Sequence, residues 1–350
     1  MGMVRSKTYI AIPPGATIKE QLVERGMTQK EFSIRLNMSE KHISQLINGE
    51  VLLTPEMAFK LEMVLGIPAN FWNQLEAIYR EKQIQAQQEN EMEQDKSIAR
   101  KFPYSEMVHL GWIVKTDKIE ERVINLRKYF EVVNLTLLNN YQINKIACRR
   151  LNSTEKADYA LLAWAQKAKL EARNKNVKKI NINLLEKKLS KIRPMTLQNP
   201  NEFYEPLNQL LSDCGIALIL IPHLNGSYLH GVTFLDRNKI VIGLTSRGKD
   251  ADKFWFSLYH ELAHIIKGHI NQIEGTTEQD ELEADQFARE SLISKFDFDQ
   301  FISNYKINSK NITTYSSLIG IDPGILVGRL QKENYIPYNS YNHLKKKYEF

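Results

Sequence analysis

The run Asp252-Lys253-Phe254-Trp255-Phe256-Ser257-Leu258-Tyr259-His260-Glu261-Leu262-Ala263-His264 decides the reading of this chain. Its pattern predicts a helix over 252–267. Two histidines four residues apart stand on one helix face, so both rings can reach one ion. This is the HExxH spacing of zinc sites. Glu261 is displaced by one residue from His260 and faces the reacting water instead of serving as a ligand. From there a carboxylate takes the proton of the attacking water and later hands it to a leaving amine.

A catalytic zinc is held by three protein ligands. The segment Glu281-Leu282-Glu283-Ala284-Asp285 lies on a second predicted helix, 279–294, and begins seventeen residues after His264. Glu281 and Asp285 again share one face. Glu281 is assigned as the third ligand, and Asp285 as the carboxylate that orients His260 through its other ring nitrogen. Glu283 projects in another direction and is assigned to solvent. His269 is the competing third ligand. The longer HExxHxxGxxH pattern does not apply, because Lys267 and Ile270 stand where it needs glycine and histidine. Tyr228 and His230, in the stretch before the helix, are the candidates for stabilising an oxyanion.

Upstream of the motif, 216–221 is a continuous apolar, β-branched run that reads as a buried strand. Segments 232–235 and 239–244 read as two further strands joined by Asp236-Arg237-Asn238. The region 102–200 reads as helical, with apolar residues at three- and four-residue spacing over 119–129, 156–174 and 184–192. Residues 82–101 are polar, rich in Gln and Glu and free of Gly and Pro, which predicts a solvent-exposed helical connector. Beyond the motif, 323–333 is a short helix, followed by the basic cluster Lys345-Lys346-Lys347.

The N-terminal 17–81 is a series of short helices with readable ends. Thr28 caps the second helix, with Glu31 three residues later completing a capping box. Asn37 marks a turn, Ser39 caps the third helix, and Asn48-Gly49 ends it. Thr54-Pro55-Glu56 opens a fourth, and Pro68 opens a fifth that carries Phe71, Trp72, Leu75, Ile78 and Tyr79 on one stripe. Phe32, Leu36, Ile43, Leu46 and Ile47 supply the apolar joint of a helix-turn-helix. Its second helix presents Ser39, Glu40, Lys41, His42, Ser44 and Gln45 outward, the kind of polar set that reads a major groove. Gln29 and Asn48 are placed for phosphate or register contacts.

Composition agrees with a water-soluble globular protein: 350 residues, 43% hydrophobic and 25% charged. No apolar run is long enough to span a bilayer, and the N-terminus lacks a signal peptide's apolar stretch. Cys148 and Cys214 lie far apart in sequence, which argues against a disulfide framework or a cysteine zinc site and fits a reducing cytoplasm. The net charge of +6 is unevenly spread: residues 145–193 hold fourteen Lys/Arg against four Asp/Glu, whereas 1–70 hold eight against seven. The basic stretch reads as a solvated helical face, or as a surface for nucleic acid or an acidic partner.

Residues 13–83 resemble the HigA-type antitoxin family of lambda-repressor-like domains. The residues that carry this are Pro14-Gly15, Leu22, Thr28-Gln29, Ser39-Glu40-Lys41-His42-Ile43-Ser44, Asn48-Gly49, Thr54-Pro55-Glu56 and Phe71-Trp72. The resemblance implies a homodimer on operator DNA, often that of its own promoter, and a neighbouring toxin. Residues 200–294 resemble the ImmA/IrrE metallopeptidase family, through the 252–264 run and Glu281-Leu282-Glu283-Ala284-Asp285-Gln286-Phe287-Ala288. That implies a zinc endopeptidase, with one Zn2+ per chain, which cleaves a repressor protein, or an antitoxin carrying this domain. A departure is Ser291-Leu292-Ile293-Ser294, where the family usually has a Leu-Met-Pro-like ending at the edge of the substrate cleft.

The expected architecture is mainly α with a small α+β zincin-like domain behind a lambda-repressor-like helix-turn-helix bundle. The expected divisions are 1–81, the connector 82–101, a helical middle 102–200 and the zinc domain 201–350. Two functions are compatible with it: a regulator that cleaves a protein partner, or a non-proteolytic antitoxin whose zinc domain binds a toxin or steadies the fold. Lys41→Ala and Gln45→Ala should each weaken binding to the DNA upstream of the gene by about 1–3 kcal/mol if they contact bases. Gel-shift titrations on that DNA and on random DNA check this, and equal losses on both would reduce the two residues to phosphate contacts.

Overall fold

The computed structural model of the chain describes residues 4–139, 155–224, 231–245, 250–271 and 276–348. They divide into two units, Met1–Ile98 and Ala99–Phe350. The chain is mainly helical, with helix-turn-helix elements in the first unit and a small three-stranded sheet in the second. Among the described residues no helix is long and apolar enough to cross a membrane.

In the first unit, α1 (Gly15–Glu24), α2 (Gln29–Arg35), α3 (Glu40–Ile47), α4 (Pro55–Leu65) and α5 (Ala69–Ala99) follow a two-residue hairpin, β1 (Val4–Arg5) with β2 (Ile10–Ala11). Local chemistry sets the helix starts. Thr28, Ser39 and Thr54 each sit in extended backbone and accept a hydrogen bond from the amide three residues on. The capping box foreseen at Thr28 is half formed. Its hydroxyl accepts from the Glu31 amide, but the Glu31 carboxylate bonds Arg35, one turn along, at 2.7 Å. An arginine of opposite charge at i+4 outcompetes the neutral cap amide. The hairpin was not foreseen, since two-residue strands leave no period to read. It is tied to α5 where Thr8 donates to Glu89 at 2.8 Å. Residues 82–99 lie on α5.

Ile18, Phe32, Ile43, Leu61 and Trp72 are fully buried and form the centre of this unit. Gly15 opens α1 directly on the end of α3, because any Cβ there would run into the Ile47 backbone.

In the second unit, α6 (Tyr104–His109), α7 (Ile119–Phe130), α8 (Glu155–Ala172), α9 (Ile182–Ile192) and α10 (Pro200–Ser212) precede the sheet. The strands are β3 (Ile216–Ile221), β4 (Gly231–Asp236) and β5 (Lys239–Thr245), in the order β3-β5-β4. β3 runs parallel to β5 and β4 antiparallel to it. Then come α11 (Ala251–Ile266), α12 (Glu278–Leu292), α13 (Lys295–Asn304), α14 (Ser309–Ile319) and α15 (Pro323–Lys332). The sequence reading missed α13 and α14, although Ser294 and Asn308 cap them by the same chemistry as the N-terminal helices.

Strand alternation separates the sheet's two faces. Gly243 and its partner Val232 face α8, where Trp164 lies against Gly243 and donates its indole N–H to the Pro222 carbonyl at 3.0 Å. Ile216, Leu218, Ile240, Ile242 and Leu244 join Trp255, Leu258 and Leu262 of α11 in one core. The basic cluster at the C-terminus is stitched into this unit. Lys345 pairs with Asp252 at 2.6 Å, the Lys346 carbonyl accepts from the Ala251 amide, and Tyr348 accepts from the Trp255 indole at 2.7 Å. Several cations of the 145–193 stretch are also paired: Lys178 and Lys188 with Asp213, Lys167 with Glu171, and Arg173 with Glu131. Cys214 is buried and unbridged, while Cys148 lies outside the described residues.

Gly15→Ala should lower the stability of the first unit by about 1–3 kcal/mol, the usual cost of forcing atoms into a packed joint. Urea unfolding followed by circular dichroism would show its transition at lower denaturant, and an unchanged midpoint would contradict the close seating of α1 on α3.

Candidate metal centre

α11 and α12 lie side by side so that three donors converge. His260 Nε2 is 3.1 Å from His264 Nε2 and 3.3 Å from Glu281 Oε2, and His264 Nε2 is 3.6 Å from Glu281 Oε1. All three residues offer a ligand atom within 4.8 Å of one another. Donors about 2.0–2.1 Å from a tetrahedral zinc stand about 3.3 Å apart, so both the spacing and the His/His/Glu chemistry fit that ion. His269, the alternative third ligand, is turned elsewhere: its Nδ1 meets His264 Nδ1 at 3.0 Å, on the far side of that ring.

Each histidine of the pair is backed by a carboxylate. His260 Nδ1 donates to Asp285 Oδ1 at 2.9 Å, which in the neutral ring leaves the Nε2 lone pair facing Glu281. The second connection passes through His269, whose Nε2 lies 3.3 Å from Asp280 Oδ1. The proton placement consistent with these partners has His269 donating to Asp280 and His264 Nδ1 donating to His269, so the His264 Nε2 lone pair is also free. Asp280 doubles as a helix cap, its other oxygen accepting from the Thr277 amide at 2.7 Å. Glu281 is steadied by the Thr276 hydroxyl at 2.7 Å. Glu283, assigned to solvent, is 43% exposed and its carboxylate lies 3.7 Å from His269 Nε2.

Glu261 comes off the same helix turn but points to β4. Thr233 donates its hydroxyl to Glu261 Oε2 at 2.5 Å. The other oxygen fits only because residue 231 is glycine: a Cβ there would sit 2.5 Å from Glu261 Oε1. Neither Thr233 nor Gly231 is marked as a site residue by the sequence, in which Gly231 only brackets a hairpin-like stretch. Strand period puts both on the face of β4 toward α11, and that was the one available signal. Tyr228 and His230 lie outside the described residues.

Burial dominates the titration of Glu261 and pushes its carboxyl up to about 7, against the pull of the His260 charge and the Thr233 hydroxyl. Burial also acts on His260, but the bonds to Asp285 and Glu281 outweigh it and raise that ring to about 10. His264 is pushed down to about 4 by burial and then by the His260 charge. Burial works to raise Glu281 and Asp285, yet their bonds to His260 hold both below the ordinary carboxylate range. Glu281 is thus anionic opposite the histidine pair, and a metal ion bound there would take the place of the second His260 proton, because a ligating imidazole is neutral.

The groups proposed for DNA stand together on the first unit. Ser39, Glu40 and Lys41 are exposed, and Gln29, His42, Ser44, Gln45 and Asn48 are half-buried. The Ser39 hydroxyl is already engaged as the cap of α3, accepting from the His42 amide at 3.2 Å.

Residues 18–72 match the helix-turn-helix family, and residues 214–316 match the IrrE N-terminal-like domain, a peptidase family. The uncharacterized HTH-type transcriptional regulator YddM of Escherichia coli is 36% identical over 63 residues, 18% of this chain and 67% of that protein. Through its N-terminal unit the chain belongs to the helix-turn-helix transcriptional regulators, and it joins to that unit an IrrE N-terminal-like domain.

Purified protein should carry about one zinc per chain. His260→Ala and His264→Ala should lose most of it and Glu281→Ala much of it, while Glu261→Gln stays loaded. Elemental analysis of the four variants decides this, and an empty Glu261→Gln beside a full Glu281→Ala would reverse the two roles.

Proposed function

We propose that this protein is a DNA-binding regulator whose second unit is a zinc-dependent endopeptidase directed at a protein partner. The observation that carries the reading is Glu261. A structural zinc site is closed by a fourth protein ligand and has no use for a further buried acid. Here a fully enclosed carboxylate stands next to a three-donor set, with one oxygen held by Thr233 and room for the other kept by Gly231. Burying an acid in such a place costs stability, and proton transfer is a function that offsets that cost.

In this reading His260, His264 and Glu281 hold the ion, and Asp285 and the Asp280–His269 pair fix the histidine rings. With a zinc ion held by these three residues, the site would gain a Lewis acid able to polarise a scissile carbonyl and to lower the pKa of a water toward neutrality. Glu261 receives that proton on the oxygen beside Gly231 and delivers it to the departing amine. Thr233 keeps the carboxylate from rotating away between the two transfers. The N-terminal unit binds operator DNA as a homodimer, with half-sites about one helical turn apart.

The kinship of that unit favours a second reading, a repressor or antitoxin whose zinc domain holds a toxin without cutting it. Incubating the wild-type protein with each product of the neighbouring genes and analysing it by mass spectrometry separates the two. One or two defined fragments should appear with wild type, and Glu261→Gln should slow them about 10²–10⁴-fold. Gly231→Ala should do the same while retaining zinc. Indiscriminate digestion of casein would overturn limited cleavage, and a stable uncut complex with a neighbour would replace the peptidase by the antitoxin.

A further inference from the structure

Lys253, Phe256 or Ser257, and His260 follow one another along α11 at three- and four-residue spacing, so they share a stripe. Asp285, Arg289 and Leu292 do the same on α12. Between these stripes, α15 and the C-terminal segment lies a cavity of about 650 Å³, within the range of small-ligand and side-chain pockets. It adjoins the metal centre: Phe256 lines it and packs its ring against His260, centroids 6.4 Å apart.

The floor is apolar. Leu292, Ile293 and Ile325 are buried and line it, and the first two belong to the Ser291–Ser294 departure noted above. The rim is cationic beyond its own needs. Its three carboxylates are each matched, Asp250 by Lys253 at 2.8 Å, Asp252 by Lys345 at 2.6 Å and Glu333 by Arg329 at 2.8 Å. Arg289, Lys332 and Lys347 also line the cavity; Arg289 and Lys332 are near enough to Asp285 to help lower its carboxyl, but that carboxylate is bonded to His260, and no carboxylate of the described residues stands at ion-pair distance from the three cations. At the base, the Asp252 Oδ1 is buried with no hydrogen-bond partner among those residues, an acceptor left over for a ligand's N–H.

We infer that this cavity takes an acidic segment of the protein substrate, seating an aliphatic side chain on Leu292, Ile293 and Ile325 and a neighbouring carboxylate against Arg289 and Lys332. The role rests on the peptidase reading, because the cavity selects a substrate only if the adjoining centre cleaves one. The binding itself needs neither the ion nor Glu261. Charge complementarity chooses the acidic class over a neutral one, and the apolar floor chooses a peptide over a simple anion.

Fluorescence anisotropy on full-length protein carrying Glu261→Gln tests this with a short labelled peptide that alternates Leu and Glu, against its Leu-Gln counterpart. The Glu peptide should bind at least about tenfold tighter, and Arg289→Glu with Lys332→Glu should remove that margin, as expected for charge-assisted contacts. The same double variant should keep its zinc, which excludes misfolding. Lys179→Glu, an exposed cation elsewhere on the unit, should leave the margin intact. Equal binding of the two peptides, or a loss from Lys179→Glu as large as from the double variant, would overturn the inference. Cleavage of a neighbour with no acidic preference would remove the pocket and spare the peptidase. Acid-selective binding without cleavage of any neighbour would do the reverse.

Discussion

Two imidazole nitrogens held 3.1 Å apart inside a protein need a cation between them, or a proton, and the C-terminal unit is organised around that requirement. Helix spacing brings the two rings to one face, but it does not choose their rotation or tautomer. Those come from carboxylates on α12. Asp285 acts on one ring directly and Asp280 on the other through His269. Because Asp280 also caps α12, the start of that helix and the orientation of a ring on α11 depend on one side chain. Removing any member leaves a buried polar group without its partner, which is the expensive way to break such a network.

The sheet contributes through register. β4 pairs with β5 so that Gly231 and Thr233 point toward α11, and Val232 points to α8. A slip by one residue would bring Val232 and Phe234 to the acid's side, replacing a hydroxyl donor and an open space by two apolar groups. The parallel pairing of β3 with β5 buries the six-residue apolar strand at the opposite edge and leaves β4 free to border the centre.

Much of this was legible in the chain because it is local. The caps Thr28, Ser39 and Thr54, the HExxH spacing and the Glu281–Asp285 pair all act within one or two helix turns, where residue order fixes geometry. What escaped was non-local or too short. Thr233 and Gly231 matter only because a strand some thirty residues earlier lies under Glu261. His269 was visible as a candidate ligand, but the choice between ligand and relay turns on which way a ring faces. The β1–β2 hairpin has too few residues for a period, and Glu31 had two partners in reach, of which sequence favoured the wrong one. The basic cluster Lys345-Lys346-Lys347 gave no hint of its acidic partners, Asp252 and Asp322, because they are distant in the chain.

The fastening of the last described residues onto α11 has a bearing on biosynthesis. Tyr348 holds the indole of Trp255, and the backbone of Lys346 and Lys347 meets Ala251 and Asp250, at the start of the helix that bears both histidines. A ribosome that has delivered α11 and α12 has still not delivered the segment that locks α11 in place. The core cluster of the helix-turn-helix unit, by contrast, draws its residues from Ile18 to Leu75, far earlier in the chain. The contacts that hold the start of α11, the helix of the candidate metal centre, are therefore complete only once residue 348 has been made.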